Sequence, residues 1–307
     1  MTWAAVIGSP IEHSLSPVIH RAAWAQLGID GWEYRRLEQN ADSLPGFVAG
    51  LGGDCVGLSV TMPCKQAVMP LLDAIDPLAS AVGAVNTVVP SSGVLAGFNT
   101  DVTGIASAVR RACAMAGCPA PSSALVLGAR ATASSALAAL GELGITSSTV
   151  AARRFGGPGS VVAAASRLGV TIEQVLWSDT AAVDRAAAGA DLVISTLPAS
   201  AADPFAERLH VREGQILLDV VYSPRDTALR SAFESAAGVV AEGTAEEIKK
   251  VAESVTGQYL ARKKFIPVPS RRRTGTGNFI EIVGAAANNL KNLRVKFPLG
   301  ELILVTG

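Results

Sequence analysis

Paired cysteines and clustered histidines are missing from this sequence, and their absence removes whole classes of protein. Cys55, Cys64, Cys113 and Cys118 form no CxxC pair, and His13, His20 and His210 lack the spacing of metal ligands. Neither a metal centre nor a disulfide framework is expected. Long apolar runs are missing too. The longest are strand-length, far short of a bilayer span, and the N-terminus has no charged segment leading into an apolar signal core. A cytoplasmic protein without membrane association is expected. Charge is sparse at 17% of residues, whereas 49% of the 307 residues are hydrophobic, enough to build the cores of two domains.

The charge that is present is unevenly placed. The chain holds 26 basic and 26 acidic side chains, but residues 243–307 carry 11 basic against 5 acidic, leaving 15 against 21 in residues 1–242. That shift coincides with a change from Ala-rich sequence to a basic, Pro-containing stretch, and it reads as a module boundary.

Before that boundary the chain alternates strands and helices. WAAVIG (3–8) reads as a strand and Val18–Leu27 as a helix. Strand, helix, strand follow through 33–62, with the helix near Asp42–Leu51, and a further helix covers Lys65–Asp73. Such a rhythm predicts an α/β fold with a mostly parallel sheet. The helix over residues 102–117 would cross to a second domain. There residues 124–144 read strand, tight turn, helix, the position of a dinucleotide fingerprint. Strands at 148–154, 191–198, 215–222 and 239–243 complete a Rossmann-like domain. The expected boundaries are 1–101, 102–242 and 243–307.

The chain is organised around GLSVTMPCK (57–65), a strand ended by Pro63 that delivers Lys65 just beyond it. Open α/β sheets bind ligands at strand carboxyl ends, and a lysine held there can carry a proton; the alternative is a solvated surface charge. GAVNTVV (83–89) and GFNTD (97–101) each end an apolar run in an Asn-Thr pair, so Asn86, Asn99 and Asp101 can converge on Lys65. Asp101 is the natural partner of Lys65, and capping the helix that starts at Val102 is compatible with that role. Ser14 and Ser16 flank the turn before Pro17, either as helix caps or as anion-binding hydroxyls at a helix N-terminus. His13 and His20 are read as structural.

This cluster resembles that of the shikimate dehydrogenases, with a strand ending Asn-Val-Thr-x-Pro-x-Lys, a Val-Asn-Thr strand and an Asn-Thr-Asp turn. Ser59 stands where that family has its first Asn, while Thr61 and Lys65 are kept. The resemblance covers residues 3–243. It implies reversible reduction of 3-dehydroshikimate to shikimate with Lys65 and Asp101 as the catalytic pair. Ser14 and Ser16 would bind the substrate carboxylate, with Thr61, Asn86, Asn99 and Tyr222 also on the substrate. Tyr222 lies in DVVYSPRDT (219–227), which matches the family's Asp-x-x-Tyr-x-Pro-x-x-Thr segment; packing at a strand end is its alternative role.

The family's Gly-x-Gly-Gly-x-Ala turn is here Gly128, Ala129, Arg130, Ala131, Thr132, Ala133, so one glycine survives. Arg130 is in position to pair a phosphate in compensation. Arg153 and Arg154 stand where NAD enzymes usually carry an acidic residue for the ribose, which favours the 2′-phosphate of NADP; an exposed basic turn is the alternative. Thr196 and Gly243 are expected beside the same cofactor. A relative acting on quinate, or a catalytically weakened member, would fit the same motifs, as either a monomer or a homodimer.

After Gly243 the resemblance changes. TGQYL (256–260), a basic Pro-rich stretch and VGAAANNLKN (283–292) are similar to the ATP-binding component of the excinuclease of nucleotide excision repair. Its phosphate-binding Gly-rich loop and lysine would follow Gly307, so no ATPase is expected from this fragment. The chain reads as a fusion, or as the product of a rearranged or misassembled gene. A helix from Ala245 capped by Thr244 and a linker at 265–277 are expected. The basic clusters 262–264 and 271–273 are a third, weaker possibility, attraction to nucleic acid.

Overall fold

The computed structural model describes residues 1–157, 159–221 and 224–241, together with the backbone of 279–285 and 293–298. The chain divides into two compact units, Met1–Lys264 and Phe265–Gly307. Among the described residues the first unit carries two six-stranded sheets.

The first sheet comprises β1 (Trp3–Gly8), β2 (Glu33–Glu38), β3 (Cys55–Val60), β4 (Ala74–Ile75), β5 (Thr87–Ser91) and β6 (Val94–Phe98), in the order β2-β1-β3-β5-β6-β4. β1 lies inside it with all six residues buried. Its side chains alternate as a strand requires: Trp3, Ala5 and Ile7 join Leu58 and Val60 on one face, and Ala4 and Val6 join Ile11 and Tyr34 on the other. The sheet is less parallel than the sequence rhythm suggests. β2, β1 and β3 run parallel and β4 runs parallel to β6, but β5 is antiparallel to both β3 and β6. The cause is local. Ser92 and Gly93 both take positive φ (51° and 83°), the two-residue turn that matches strand twist and closes β5 and β6 into a hairpin.

Helices α1 (Ser16–Leu27), α2 (Leu44–Ala49), α3 (Cys64–Ala67) and α4 (Pro77–Val82) accompany this sheet. The helix expected over 65–73 is broken into α3 and a 3-10 turn at Met69–Leu71, because Pro70 lacks the N–H that would continue it.

α5 (Asp101–Ala116) leads into the second sheet, built from β7 (Ala124–Leu127), β8 (Ser147–Ala152), β9 (Thr171–Leu176), β10 (Leu192–Ser195), β11 (Ile216–Asp219) and β12 (Val239–Ala241). Its order is β12-β11-β10-β7-β8-β9 and every pairing is parallel. Helices α6 (Ala131–Glu142), α7 (Val161–Leu168), α8 (Thr180–Gly189), α9 (Asp203–Ala206) and α10 (Ala228–Ser235) connect the strands. β7 and β10 are buried at every position, as central strands covered on both faces must be. The sequence progression reverses between β7 and β10, and the crevice outside their carboxyl ends is where such sheets bind dinucleotides. α5 and α6 share one continuous apolar core, to which they contribute Ala106, Val109 and Cys113 and Ala133, Ala136 and Leu140. Gln66 and Arg167 tie the lobes from outside that core. Gln66 Nε2 donates to Gly159 O at 2.7 Å, and Arg167 Nε donates to Ala81 O at 2.9 Å.

Asp191, just ahead of β10, fastens that strand to the entrance of β7. It accepts from Ser122 N (3.0 Å), Ser122 Oγ (2.8 Å) and Ser123 N (3.2 Å), and it faces Arg212 at 3.5 Å. Burial alone would raise its pKa, but these donors outweigh it and bring it down from 3.8 to about 2. A depressed carboxylate stabilises the fold above its unfolded pKa and loses that contribution as pH falls through its folded one. The side chain is 37% exposed, so solvent screening cuts the value sharply. Asp191→Asn is expected to lower unfolding free energy by about 1 kcal/mol at pH 7. In urea titrations repeated at lower pH, the gap to the unmodified chain should close between about pH 4 and pH 2.

The second unit contains β13 (Phe279–Ala285) and β14 (Leu293–Pro298), paired antiparallel. The helix read from Ala245, its cap Thr244, the linker at 265–277 and both basic clusters lie outside the described residues. Among the described residues no helix is long and apolar enough to cross a membrane.

Candidate active site

Lys65 enters the site because β3 ends at Val60 and the chain turns through Thr61–Pro63 into α3. Its ammonium donates to Asp101 Oδ2 at 2.6 Å, with the two side chains 14% and 26% exposed. Asp101 is the first residue of α5, where the helix dipole favours a negative charge. The helix thus starts one residue earlier than the sequence suggested, and the residue preceding it, Thr100, makes no side-chain cap bond. Asn86 holds the other carboxylate oxygen, donating through Nδ2 to Asp101 Oδ1 at 2.6 Å. Its carbonyl oxygen accepts from Thr100 N (3.0 Å) and Thr87 Oγ1 (2.9 Å). Backbone bonds lock the same three segments together: Val85 N to Lys65 O (2.8 Å), Val60 N to Asn86 O (2.7 Å) and Asn86 N to Phe98 O (3.0 Å). The lysine–carboxylate pair is thus fixed by a strand end, a hairpin and a helix start.

A cleft of about 580 Å³ opens over this pair. Ser14, Ser16, Ser59, Thr61, Lys65, Asn86 and Asp101 line it from the first lobe, and Thr132 and Val220 from the second. Ser16 is the first residue of α1 and makes no cap bond; Leu15 precedes the helix instead. The Ser14 hydroxyl accepts from Ser16 N at 3.3 Å, and Arg36 Nη2 donates to Ser14 O at 2.8 Å. Gly8 lets β1 close on the turn after β3, since a Cβ there would stand 2.6 Å from Met62 O.

The cofactor side is built at the carboxyl ends of β7 and β8. Gly128 has φ 113°, and a Cβ on it would run into Thr196 Oγ1, so glycine is required at this turn. The Thr196 hydroxyl is spent holding that turn, donating to Leu127 O at 2.8 Å. Ala129 is buried, and its carbonyl accepts from Val161 N at 3.2 Å. Arg130 precedes α6 and Ala131 opens it, with no side-chain cap on the helix. The free N–H groups of that twelve-residue helix, at the switch point of a parallel sheet, suit a pyrophosphate. Arg153 and Arg154 follow β8 directly and are exposed, as is Arg130. None of the three forms an ion pair among the described residues. Their charges fit a nucleotide that carries an additional phosphate.

Asn99 departs from its expected role on substrate. It is 6% exposed and does not line the cleft. Its amide donates to Ala84 O (2.9 Å) and Ser135 Oγ (3.1 Å), and its carbonyl accepts from Asp101 N (3.1 Å). It therefore positions Asp101 and joins the lobes. Tyr222 and Gly243 lie outside the described residues. The ends of the segment containing Tyr222 are joined, Thr227 Oγ1 donating to Asp219 Oδ2 at 2.8 Å, and burial pushes the Asp219 carboxyl upward. Thr87, Thr100 and Tyr34 were not singled out from sequence. The two threonines had a signal, each following an Asn in the paired motifs.

A parallel dinucleotide-binding sheet facing a lobe that presents a lysine–carboxylate pair defines a nicotinamide-dependent oxidoreductase acting on a CH–OH group. The model of the shikimate dehydrogenase substrate binding domain matches residues 6–88. The shikimate dehydrogenase (NADP(+)) of Geobacter sp. (strain M21) is 37% identical over 234 residues, 75% of this chain and 80% of that protein. The chain belongs to the shikimate dehydrogenase family. Among solved structures, the shikimate dehydrogenase of Mycobacterium tuberculosis is 36% identical, with a TM-score of 0.68 over 88% of this chain and 96% of that one. A shikimate 5-dehydrogenase from Thermus thermophilus, in complex with NADP(H) and shikimate, is 28% identical, with a TM-score of 0.65 over 86% and 93%. A separate similarity reaches 61% identity over 69 residues of UvrABC system protein A from Streptococcus mutans, 22% of this chain and 7% of that protein. Both resemblances read from the sequence are therefore found.

Proposed function

We propose that this chain is an NADP-dependent shikimate dehydrogenase that reversibly reduces 3-dehydroshikimate to shikimate in the chorismate route to aromatic amino acids. The observation that carries this reading is the 2.6 Å pair of Lys65 and Asp101 in a cleft walled by hydroxyl groups. When bound, NADP supplies the hydride acceptor for the carbinol carbon. Lys65 Nζ holds the proton that leaves or returns to the substrate hydroxyl, the acid–base work that such a transfer needs. Asp101 keeps the ammonium in position, and Asn86 and Asn99 hold Asp101. Ser14 and Ser16 donate to the substrate carboxylate, and Thr61 addresses a ring hydroxyl. Arg153 and Arg154 would hold the 2′-phosphate, and the α6 N-terminus with Arg130 the pyrophosphate.

The test is initial-rate formation of reduced cofactor, followed at 340 nm, by the purified full chain with shikimate or quinate and with NADP or NAD. Shikimate-dependent turnover that prefers NADP is expected. A folded chain that binds NADP yet turns over neither substrate, or quinate alone, would overturn the reading.

A further inference from the structure

We infer that α7 is a strut that links the cofactor turn to the lysine–carboxylate pair, with Gln66 and Arg167 as the positioning residues at its two ends. The inference rests on the function proposed above. The strut is rooted on the cofactor side. Ser160 caps α7, its hydroxyl accepting from Ala163 N at 3.5 Å, and Val161 N, the first amide of the helix, donates to Ala129 O at 3.2 Å. Ala129 belongs to the turn between β7 and α6, so a nucleotide that orders this turn also orders the start of α7. Arg153 and Arg154 stand on the connection that leads from β8 into the same helix. Both halves of the proposed NADP site therefore bear on one helix end.

From α7, hydrogen bonds cross to the two segments of the first lobe that bind Asp101. Just ahead of the helix, Gly159 O accepts from Gln66 Nε2 at 2.7 Å. Gln66 follows Lys65 within the single turn of α3, so fixing its amide fixes the backbone from which the Lys65 side chain springs. In the last turn of α7, Arg167 donates through Nε to Ala81 O (2.9 Å) and through Nη2 to Val82 O (3.3 Å), the final carbonyls of α4. The chain then runs through Gly83, Ala84 and Val85 to Asn86, the residue that holds Asp101 Oδ1. Val85 N donates to Lys65 O, so the two anchored segments are also bound to each other. The approach is close at both ends: a Cβ on Gly159 would run into the Gln66 amide, and one on Gly83 into the Arg167 guanidinium. The lobes already share an apolar core, so polar bonds aimed at the neighbours of Lys65 and Asn86 serve placement more than cohesion. Placement is costly to lose, since a shift of about 1 Å in a reacting group can cost roughly 10²-fold in rate.

The test uses the full chain with Gln66→Met, Arg167→Met and the double variant, both substitutions keeping an extended side chain while removing the donors. Isothermal titration measures NADPH affinity with and without saturating shikimate; both compounds are reduced, so no hydride passes between them. In the unmodified chain shikimate is expected to tighten NADPH roughly tenfold. That factor should fall to about threefold in each single variant and close to one in the double variant, with the affinity for either ligand alone within about threefold. In shikimate oxidation kcat should fall roughly tenfold in the double variant. A coupling factor that survives in the double variant, or an unmodified chain in which shikimate leaves NADPH affinity unchanged, would overturn the inference. Loss of urea stability with the coupling intact would overturn it too, by showing that these bonds only hold the lobes together. Failure of the unmodified chain to oxidise shikimate would instead count against the proposed function.

Discussion

Substituting alanine for Lys65 is expected to lower kcat for shikimate oxidation by roughly 10²–10⁴, the range a positioned acid–base group contributes. The fold should survive. The Lys65 carbonyl would still accept from Val85 N, and Asp101 would still be held by Asn86 and Asn99. Urea unfolding should therefore shift little while the rate collapses. NADP affinity, measured directly, should stay within about threefold, because Lys65 lies across the cleft from β7 and β8. A fall in kcat of less than tenfold would mean that another group carries the proton.

The second large effect falls on cofactor choice. Arg153 and Arg154 are exposed after β8 and form no ion pair among the described residues, so they are available to a phosphate monoester. A charge-assisted bond of this kind is worth about 1.5–3 kcal/mol, or roughly 10- to 150-fold in affinity. Arg153→Ser is expected to weaken NADP by that factor and leave NAD within about threefold; adding Arg154→Ser should abolish the preference. Isothermal titration with each nucleotide separates the two effects. Equal loss for NADP and NAD would show that the arginines act on the loop and not on the 2′-phosphate.

What could be read from sequence was what local chemistry marks. Lys65 follows a proline that ends a strand, Asp101 opens a helix, and Arg153 and Arg154 end an apolar run, so each could be placed without knowing the fold. The parallel character of the second lobe followed from strand and helix alternation because parallel strands must be joined by crossovers, whereas its edge strand β9 was not read from the sequence. Partners distant in sequence were not legible. Asn99 looked like a ligand because its motif resembles that of Asn86, but its amide partners, Ala84 and Ser135, lie 15 and 36 residues away and draw it into the core. The antiparallel β5 was hidden because an apolar run reads the same in either direction. Tyr34 carried no signal, since its partner Ser59 is 25 residues distant across an intervening strand.

The most direct test of the account is the fate of the carbinol hydrogen. Shikimate deuterated at the carbon that becomes the ketone would be oxidised by the full chain with NADP, and the reduced cofactor analysed by mass spectrometry. One deuterium in the reduced cofactor per turnover is the predicted result, with none formed by Lys65→Ala on the same timescale. Reduced cofactor without deuterium, or deuterium released to water, would contradict it.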